Sequence, residues 1–590
     1  MRIQRDSDRP VTGQSFPRGK RDTPRYTCRK TCIEGGTMSA LPKAAAPIEN
    51  ISRMSGESDL LRSFESRESS ELVVAFVGPV GCGIASAVNA TEEALKALGY
   101  KSVVKIKLSA FIADAVRDGR IPPYQKDGNV SDRFLRYRAL QDEGMRLREK
   151  TENQAILAEY AIQRIFIERD KVKESRNQTG GGGAAKALPT ERIAYLIDQV
   201  KRPEEVTLLR ALYRNIFYLI GVHKNYTSRI EFLLDEGVRR DEVEQLVEID
   251  RNENSDNGQK LDKTLHLADY FVRNDSQASK TEGVERFLRL IHGDKSLTPT
   301  RLEQGMYAAA AAGLRSACLS RQVGAAIASP NGEIVATGCN DVPKSGGGLY
   351  TAESRQFDMR CVHKEGGKCF NDEHKRMLQE AIADEIDQAL AAPLPDEMEL
   401  PEAEREKAII LSAKRKELLL KRIYKNTRLK DLGEFSRSVH AEMDAIVSLA
   451  RAGTVGIRGF TLYTTTFPCH SCARHIVAAG IAEVYYIEPY EKSLAEDLHG
   501  DDISFESNAP VVGPGPLKVK FLHFEGIAPR RFNSVFNASG RKDQSGRFIS
   551  IRNTPGKTVP EYIDSYFDFE FKAIAHLDQA LLKVPPNKAV

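Results

Sequence analysis

The sequence predicts an α/β protein of two successive domains, and three observations carry that prediction. A strand of the fully buried type, Glu71–Val77, runs through a glycine loop into a helix that ends near Ala97. Strand-like and helix-like apolar patterns then alternate along the chain, as parallel sheets with crossover helices require. Further on, His440-Ala441-Glu442 and Pro468-Cys469-His470-Ser471-Cys472 each stand at the start of a helical pattern, with a short strand between them.

Composition narrows the function classes. At 590 residues the chain has room for two or three domains. Its formal net charge of +4 is small for that length and points to neither nucleic acid nor membrane. No apolar run reaches the ~18 residues that span a bilayer. An odd number of cysteines, nine, without a secretory signal fits a reducing cytoplasm. Residues 1–70 are rich in Arg, Ser, Pro and Gly without apolar periodicity, and read as a disordered tail. Asp6, Asp8, Asp22 and Glu34 argue against an organelle transit peptide. Ile33-Glu34-Gly35-Gly36-Thr37 precedes Met38, and such codons can spell a bacterial ribosome-binding site. Residues 1–37 therefore read equally as a translated leader before a natural start at Met38 or as ordinary tail.

The first domain is expected over residues 71–295. After Glu71–Val77 come Gly78, Pro79, Val80, Gly81, Cys82, Gly83, Ile84, Ala85 and Ser86, then a helix. Strand, glycine loop and helix is the layout in which backbone N–H groups cradle phosphate. The loop aligns with G-x-x-x-x-G-K-[ST], but Ile84 stands at the lysine and Ala85 at the hydroxyl, with Ser86 adjacent. Residues 192–198 form a strand ending in Asp198, and residues 268–274 another strand-like piece. Gly180 to Gly183 interrupt the domain as a flexible loop. The order resembles the nucleoside-monophosphate-kinase branch of P-loop folds. That resemblance places Asp198 at a metal position and Arg229 at a lid position. Without the lysine, phosphoryl transfer is expected to be lost. Gly78, Gly81, Gly83, Ser86 and Asp198 are then candidates for a regulatory phosphate site, against a structural domain that binds nothing.

The second domain is expected over residues 296–550, followed by a tail, 551–590. Residues 302–317 read as a helix, and the segment through Ala328 as a strand. Asn331-Gly332 signals a hairpin turn, and the returning strand ends at Gly338-Cys339-Asn340-Asp341. A helical insertion occupies about 345–435. Its early part carries Cys361, His363, Cys369 and His374, either a second, structural zinc set of irregular spacing or free thiols and solvated histidines. Residues 372–391 and 402–424 read as charged amphipathic helices suited to an oligomer contact or a lid.

One imidazole and a Cys-x-x-Cys pair give zinc three ligands, His440, Cys469 and Cys472, and leave the fourth position for water. Glu442, two residues beyond His440, is placed to handle protons without being a ligand. The helix dipoles at both motifs favour anionic ligands. A purely structural zinc site is the rival reading, but such sites are normally closed by four protein ligands. Residues 460–464, 483–487 and 518–524 read as strands of this domain, the last followed by a basic region from residue 527.

The spacing H-x-E…P-C-x-x-C matches the signature of the zinc nucleobase deaminases. With Ser316, Cys318, Arg321, Val323, Gly324 and Ala325 ahead of the Gly-x-Asn turn, the domain resembles the deoxycytidylate deaminases. The resemblance implies a cytidine-deaminase-like α/β/α fold, with Asn340 on the nucleotide sugar and Arg321 and Gly338 near sugar or phosphate. Over roughly residues 70–540 the whole order resembles bacterial anti-phage deaminases acting on dCTP and dCMP. That implies depletion of the deoxycytidine nucleotide pool during infection and repression by a small regulatory RNA; a homo-oligomer is expected beside it, with the insertion helices as its contact. Two alternatives stand beside it. One is a polynucleotide cytidine deaminase, which needs an open basic channel with stacking aromatics; the chain has no Trp and little net charge. The other is a nucleotide-sensing regulator with a relict deaminase site.

Overall fold

The computed structural model describes residues 71–584 apart from 126–127, 178–191, 252–258, 365, 392–414, 425–426, 428, 430–431, 434, 454–455, 490–492, 506–517, 538–540 and 549–565. The tail 1–70 with Met38, the Gly180–183 loop and most of the second insertion helix fall outside them.

Two six-stranded sheets form the frame, both rich in parallel pairs. The first runs β12-β5-β4-β1-β3-β2, built from β1 (Glu71–Val77), β2 (Ser102–Lys107), β3 (Ile193–Asp198), β4 (Phe217–His223), β5 (Tyr270–Arg273) and β12 (Gly526–Ile527). Strands β1 to β5 pair in parallel. β1, β3 and β4 are buried almost throughout because helices cover both faces, which explains their unbroken apolar sequences. The second sheet runs β10-β11-β9-β8-β6-β7, from β6 (Gly324–Ala328), β7 (Ile334–Cys339), β8 (Thr461–Thr466), β9 (Glu483–Glu488), β10 (Ile503–Ser504) and β11 (Val519–His523). Here β6 and β7 form an antiparallel hairpin against β8, while β8, β9, β11 and β10 are parallel.

The two halves are interlocked. The short strand β12 leaves the second half and pairs antiparallel with β5, Gly526 opposite Phe271 and Ile527 opposite Tyr270. The fully buried Asp269 fastens this junction, accepting from Arg531 Nε at 3.0 Å and Arg210 at 2.8 Å. One apolar core contains Val73 and Phe271 of the first half with Met306, Tyr463 and Phe524 of the second.

The segment expected as a tail is not one throughout. Helix Tyr566–Leu582 packs on helix Ile156–Asn177 of the first half. Arg169, Glu71 and Glu570 are each about 1 % exposed or less. The Arg169 guanidinium donates to Glu71 at 2.7 and 3.0 Å and to Glu570 at 2.9 Å. Burial pushes the Glu570 carboxyl above its ordinary range, against the pull of Arg169. Removing the one cation would leave two carboxylates facing each other in the core. Arg169→Ala is expected to cost about 3–5 kcal/mol in urea unfolding. A loss under about 1 kcal/mol, the value of a surface pair, would show that the cluster does not hold the terminal helix.

Candidate active site

His440 caps helix Ala441–Ala452, and Cys469 caps helix His470–Ala478. Both caps have extended backbone and no side-chain capping bond, so the two side chains are free to turn toward each other. Strand β8 ends just before Pro468 and sets the second helix beside the first. Nδ1 of His440 lies 3.3 Å from Cys469 Sγ and 3.4 Å from Cys472 Sγ. The three ligand atoms lie within 4.8 Å of one another, the only such group of three or more His, Cys, Asp or Glu among the described residues.

The donor set fits zinc. Tetrahedral ligation at Zn–S of about 2.3 Å and Zn–N of about 2.0 Å separates S from N by roughly 3.5 Å. Nδ1 is thereby the nitrogen of His440 placed to ligate a metal. The electrostatics also ask for a cation. A hydrogen bond from Cys472 and the imidazole of His440 bring the Cys469 thiol down to about 4. Cys472 is driven up by the neighbouring sulfur and by burial. The Cys469 thiolate raises His440 to about 9. Both sulfurs ionise together only with positive charge between them.

Glu442 is buried at 4 % exposure, and burial raises its carboxyl above the ordinary range. It sits in the first turn of the helix that His440 caps, close enough to interact with the Cys472 thiol. A desolvated carboxyl beside a metal site is poised to trade protons.

The other expected site residues take different places. Gly338 does not face an open ligand site. A Cβ there would lie 2.1 Å from the Ala441 carbonyl and 2.5 Å from the Ala445 nitrogen, so glycine lets β7 touch the helix that carries Glu442. Its φ is not positive. Gly338→Ala is expected to cost about 1–3 kcal/mol through overpacking. An unchanged melting midpoint would return Gly338 to a ligand-contact role.

Asn340 is buried and clamps the preceding loop. Its Oδ1 accepts from Val323 N at 2.7 Å, and its Nδ2 donates to the Arg321 carbonyl at 2.8 Å. Arg321 is half-exposed, with Nη1 3.6 Å from Glu488. Glu488 opens the segment after the Tyr485-Tyr486-Ile487 pattern, and the family resemblance places that segment around the nucleotide. It ends β9 and gathers Arg321, His266 at 2.7 Å and Thr466 at 3.3 Å. These partners come from distant parts of the chain, so no local spacing marks it.

The four residues considered for a second zinc do not converge among the described residues. His363 is exposed and lies 3.5 Å from Asp358, Cys361 Sγ lies 4.0 Å from Arg437, and the His374 ring packs near Phe435. The irregular spacing of the four is the physical reason: the turn at 361–364 and the helix from Phe370 carry them apart.

In the glycine loop, Gly81 and Gly83 have φ of +80° and +79°, and Gly83 caps helix Ile84–Ala97. Gly78 is required for packing, since a Cβ would meet Cys82 Sγ at 2.6 Å and the Val222 carbonyl at 2.7 Å. The Ile84 side chain is buried in the core. Ser86 Oγ accepts from Lys280 Nζ. Asn274 Nδ2 donates to the carbonyls of Cys82 and Gly83 at 2.7 and 3.2 Å. Arg229 Nε donates to the Val80 carbonyl at 3.0 Å. Asp198 ends β3 and is raised by burial, against the pull of Lys107 and Lys201.

Comparison with known proteins bears on the second half. Residues 299–488 match the family model for the cytidine and deoxycytidylate deaminase zinc-binding region. Among curated proteins the chain is 35 % identical over 89 residues to the deoxycytidylate deaminase of Enterobacteria phage T4, covering 15 % of this chain and 44 % of that protein. It is 43 % identical over 56 residues to ComE operon protein 2 of Bacillus subtilis, covering 10 % of this chain and 29 % of that one. The chain thus spans under half the length of the curated relatives it matches. A solved structure of the cyanophage S-TIM5 dCMP deaminase in complex with dCMP and dUMP is 19 % identical, covers 38 % of this chain and 98 % of its own, and has a TM-score of 0.21. His440 and Glu442, Cys469 and Cys472 all fall inside the matched zinc-binding region. No helix among the described residues is long and apolar enough to cross a membrane.

Proposed function

We propose that this chain is a zinc-dependent hydrolase that deaminates free deoxycytidine nucleotides, dCMP or dCTP, to the deoxyuridine nucleotides. The observation that carries the reading is the buried Glu442 carboxyl, two residues past a histidine whose Nδ1 faces two cysteine sulfurs at 3.3 and 3.4 Å. Bound zinc would supply a water whose pKa is lowered to about 7. His440, Cys469 and Cys472 would hold the ion. Glu442 would accept the water's first proton and pass it to ring N3 as C4 is attacked, then take the second proton from the new C4 hydroxyl and give it to the amino group, which leaves as ammonia. The T4 relative's name supports a deoxycytidylate substrate. The lack of Trp and the net charge of +4 favour a free nucleotide over a polynucleotide.

Purified protein assayed with dCMP, dCTP, cytidine and single-stranded DNA tests this. Turnover of dCMP or dCTP well above the other two is expected. Preference for single-stranded DNA would establish polynucleotide editing instead, and no turnover of any would leave a relict site. On this reading the enzyme works in the cytoplasm as a homo-oligomer, draining the deoxycytidine nucleotide pool against phage and held back by a small regulatory RNA. The glycine loop then serves as a regulatory phosphate site without transfer, supported by the positive φ of Gly81 and Gly83 and by the burial of Ile84 in the core.

A further inference from the structure

A cavity of about 380 Å³ lies between the two sheets, and none of the zinc-site residues lines it. On one side it is walled by the carboxyl ends of β4 and β5, through His223, Lys224 and Arg273. In parallel α/β sheets, ligands bind at such strand ends. On the other side the second sheet and its loops contribute Phe467, Tyr486, Phe521 and His523. Pro79 of the glycine loop reaches its edge.

Two imidazoles join these walls. His223 and His523 stack at 4.2 Å with rings 15° from parallel. His223 is only 3 % exposed, and its Nε2 has no hydrogen-bond partner among the described residues; the same holds for Nδ1 of His523. Buried polar atoms of this kind are uncommon and ask for an explanation. Burial keeps both rings neutral, with His523 brought down to about 3. Each open nitrogen can therefore donate or accept, as recognition of a heterocycle edge requires.

The charges refine the ligand. Lys224, Arg229 and Arg273 are balanced by Asp262, Asp275 and Glu496 on the same lining, so a bare anion is a poor fit. Asp275 is engaged already, accepting from Asn225 N at 3.1 Å and lying 3.6 Å from Arg273. An aromatic wall, neutral imidazoles with open nitrogens and cations beside the glycine loop suit a planar ring that carries phosphate. The volume lies in the range of small-ligand sites, about 300–1,000 Å³. We propose that this cavity is a second binding site, for a nucleoside phosphate, with the ring toward Phe467, Tyr486 and the paired imidazoles and the phosphates toward Lys224, Arg229 and Arg273. A ligand there would touch the loop that carries Cys469. Phe467 precedes Pro468, and Ser493, also on the lining, donates to the Pro468 carbonyl at 2.8 Å.

Calorimetric titration of the full-length protein with ATP, GTP and dTTP tests the site. None contains cytosine, so none is a substrate of the proposed deaminase, and the readout stands whether or not that reading does. At least one is expected to bind with one-to-one stoichiometry and a Kd below about 100 μM. His223→Phe keeps a ring in the stack and removes both nitrogens, and Arg273→Ala changes a partly exposed side chain. Each is expected to weaken that nucleotide by about tenfold or more, with an unchanged melting midpoint as the control for folding. Inorganic tripolyphosphate is expected to bind at least about tenfold more weakly than the nucleotide. Failure of all three nucleotides, equal affinity for tripolyphosphate, or retention of full affinity in both folded variants would overturn the proposal.

Discussion

Replacing Glu442 by alanine is expected to remove turnover while leaving zinc in place. The carboxyl is buried, and its ordinary ionisation is disfavoured by the loss of water around it. A carboxyl raised by burial takes back a proton more readily than one in water, and on the proposed mechanism one side chain serves several proton transfers in turn. A single general acid–base group contributes about 10²–10⁴-fold. A group used in successive steps belongs at the upper end of that span. The metal should stay, because the atoms placed to hold it are His440 Nδ1 and the two cysteine sulfurs, with the glutamate outside the group. The paired measurements are kcat with the preferred deoxycytidine nucleotide and zinc per chain by metal analysis. Near-normal kcat in zinc-loaded Glu442→Ala would end the proton-shuttle assignment. Loss of zinc in the same variant would instead make Glu442 part of the metal's support.

How much of this was legible in the sequence depends on the range of the interactions involved. β1 and its following helix fall at the residues their patterns indicate, Glu71–Val77 and Ile84–Ala97, because burial on both faces writes itself into every position of a parallel strand. The meeting of His440, Cys469 and Cys472 was legible because each half of the group is a local motif at a helix start, and only the meeting of the halves is tertiary. Gly338 shows the opposite case. Its glycine is needed for contact with Ala441, about a hundred residues away, and nothing near it distinguishes that demand from a ligand's. Asn340 was expected on the nucleotide sugar from the family resemblance; its amide is engaged by the backbone of Arg321 and Val323, partners set by the hairpin register. β12 is two residues long, below any periodic signal, and its partner lies on the other sheet. Helix Tyr566–Leu582 was hidden for a related reason. Its anchoring carboxylate, Glu570, reads as surface charge until Arg169 meets it in the core.

Cys472→Ser is expected to abolish both zinc binding and activity. Cys472 is 1 % exposed, in the first turn of helix His470–Ala478, in the apolar core against the sheet that carries β8. A serine hydroxyl is a shorter, harder and neutral donor, whereas zinc in a His/Cys/Cys set draws its affinity from thiolate. Cys469→Ser should behave alike, since its sulfur stands at the same distance range from His440 Nδ1. The insertion cysteines supply the internal control. Cys361 and Cys369 do not join any ligand group among the described residues, so Cys361→Ser and Cys369→Ser should retain the zinc content of the parent protein. Metal analysis of the four variants after dialysis against a mild chelator separates the possibilities. Full zinc in Cys472→Ser and Cys469→Ser would displace the metal from this site altogether. A halved zinc content in the insertion variants would revive a second metal there, held by residues that the helix from Phe370 sets apart in this fold.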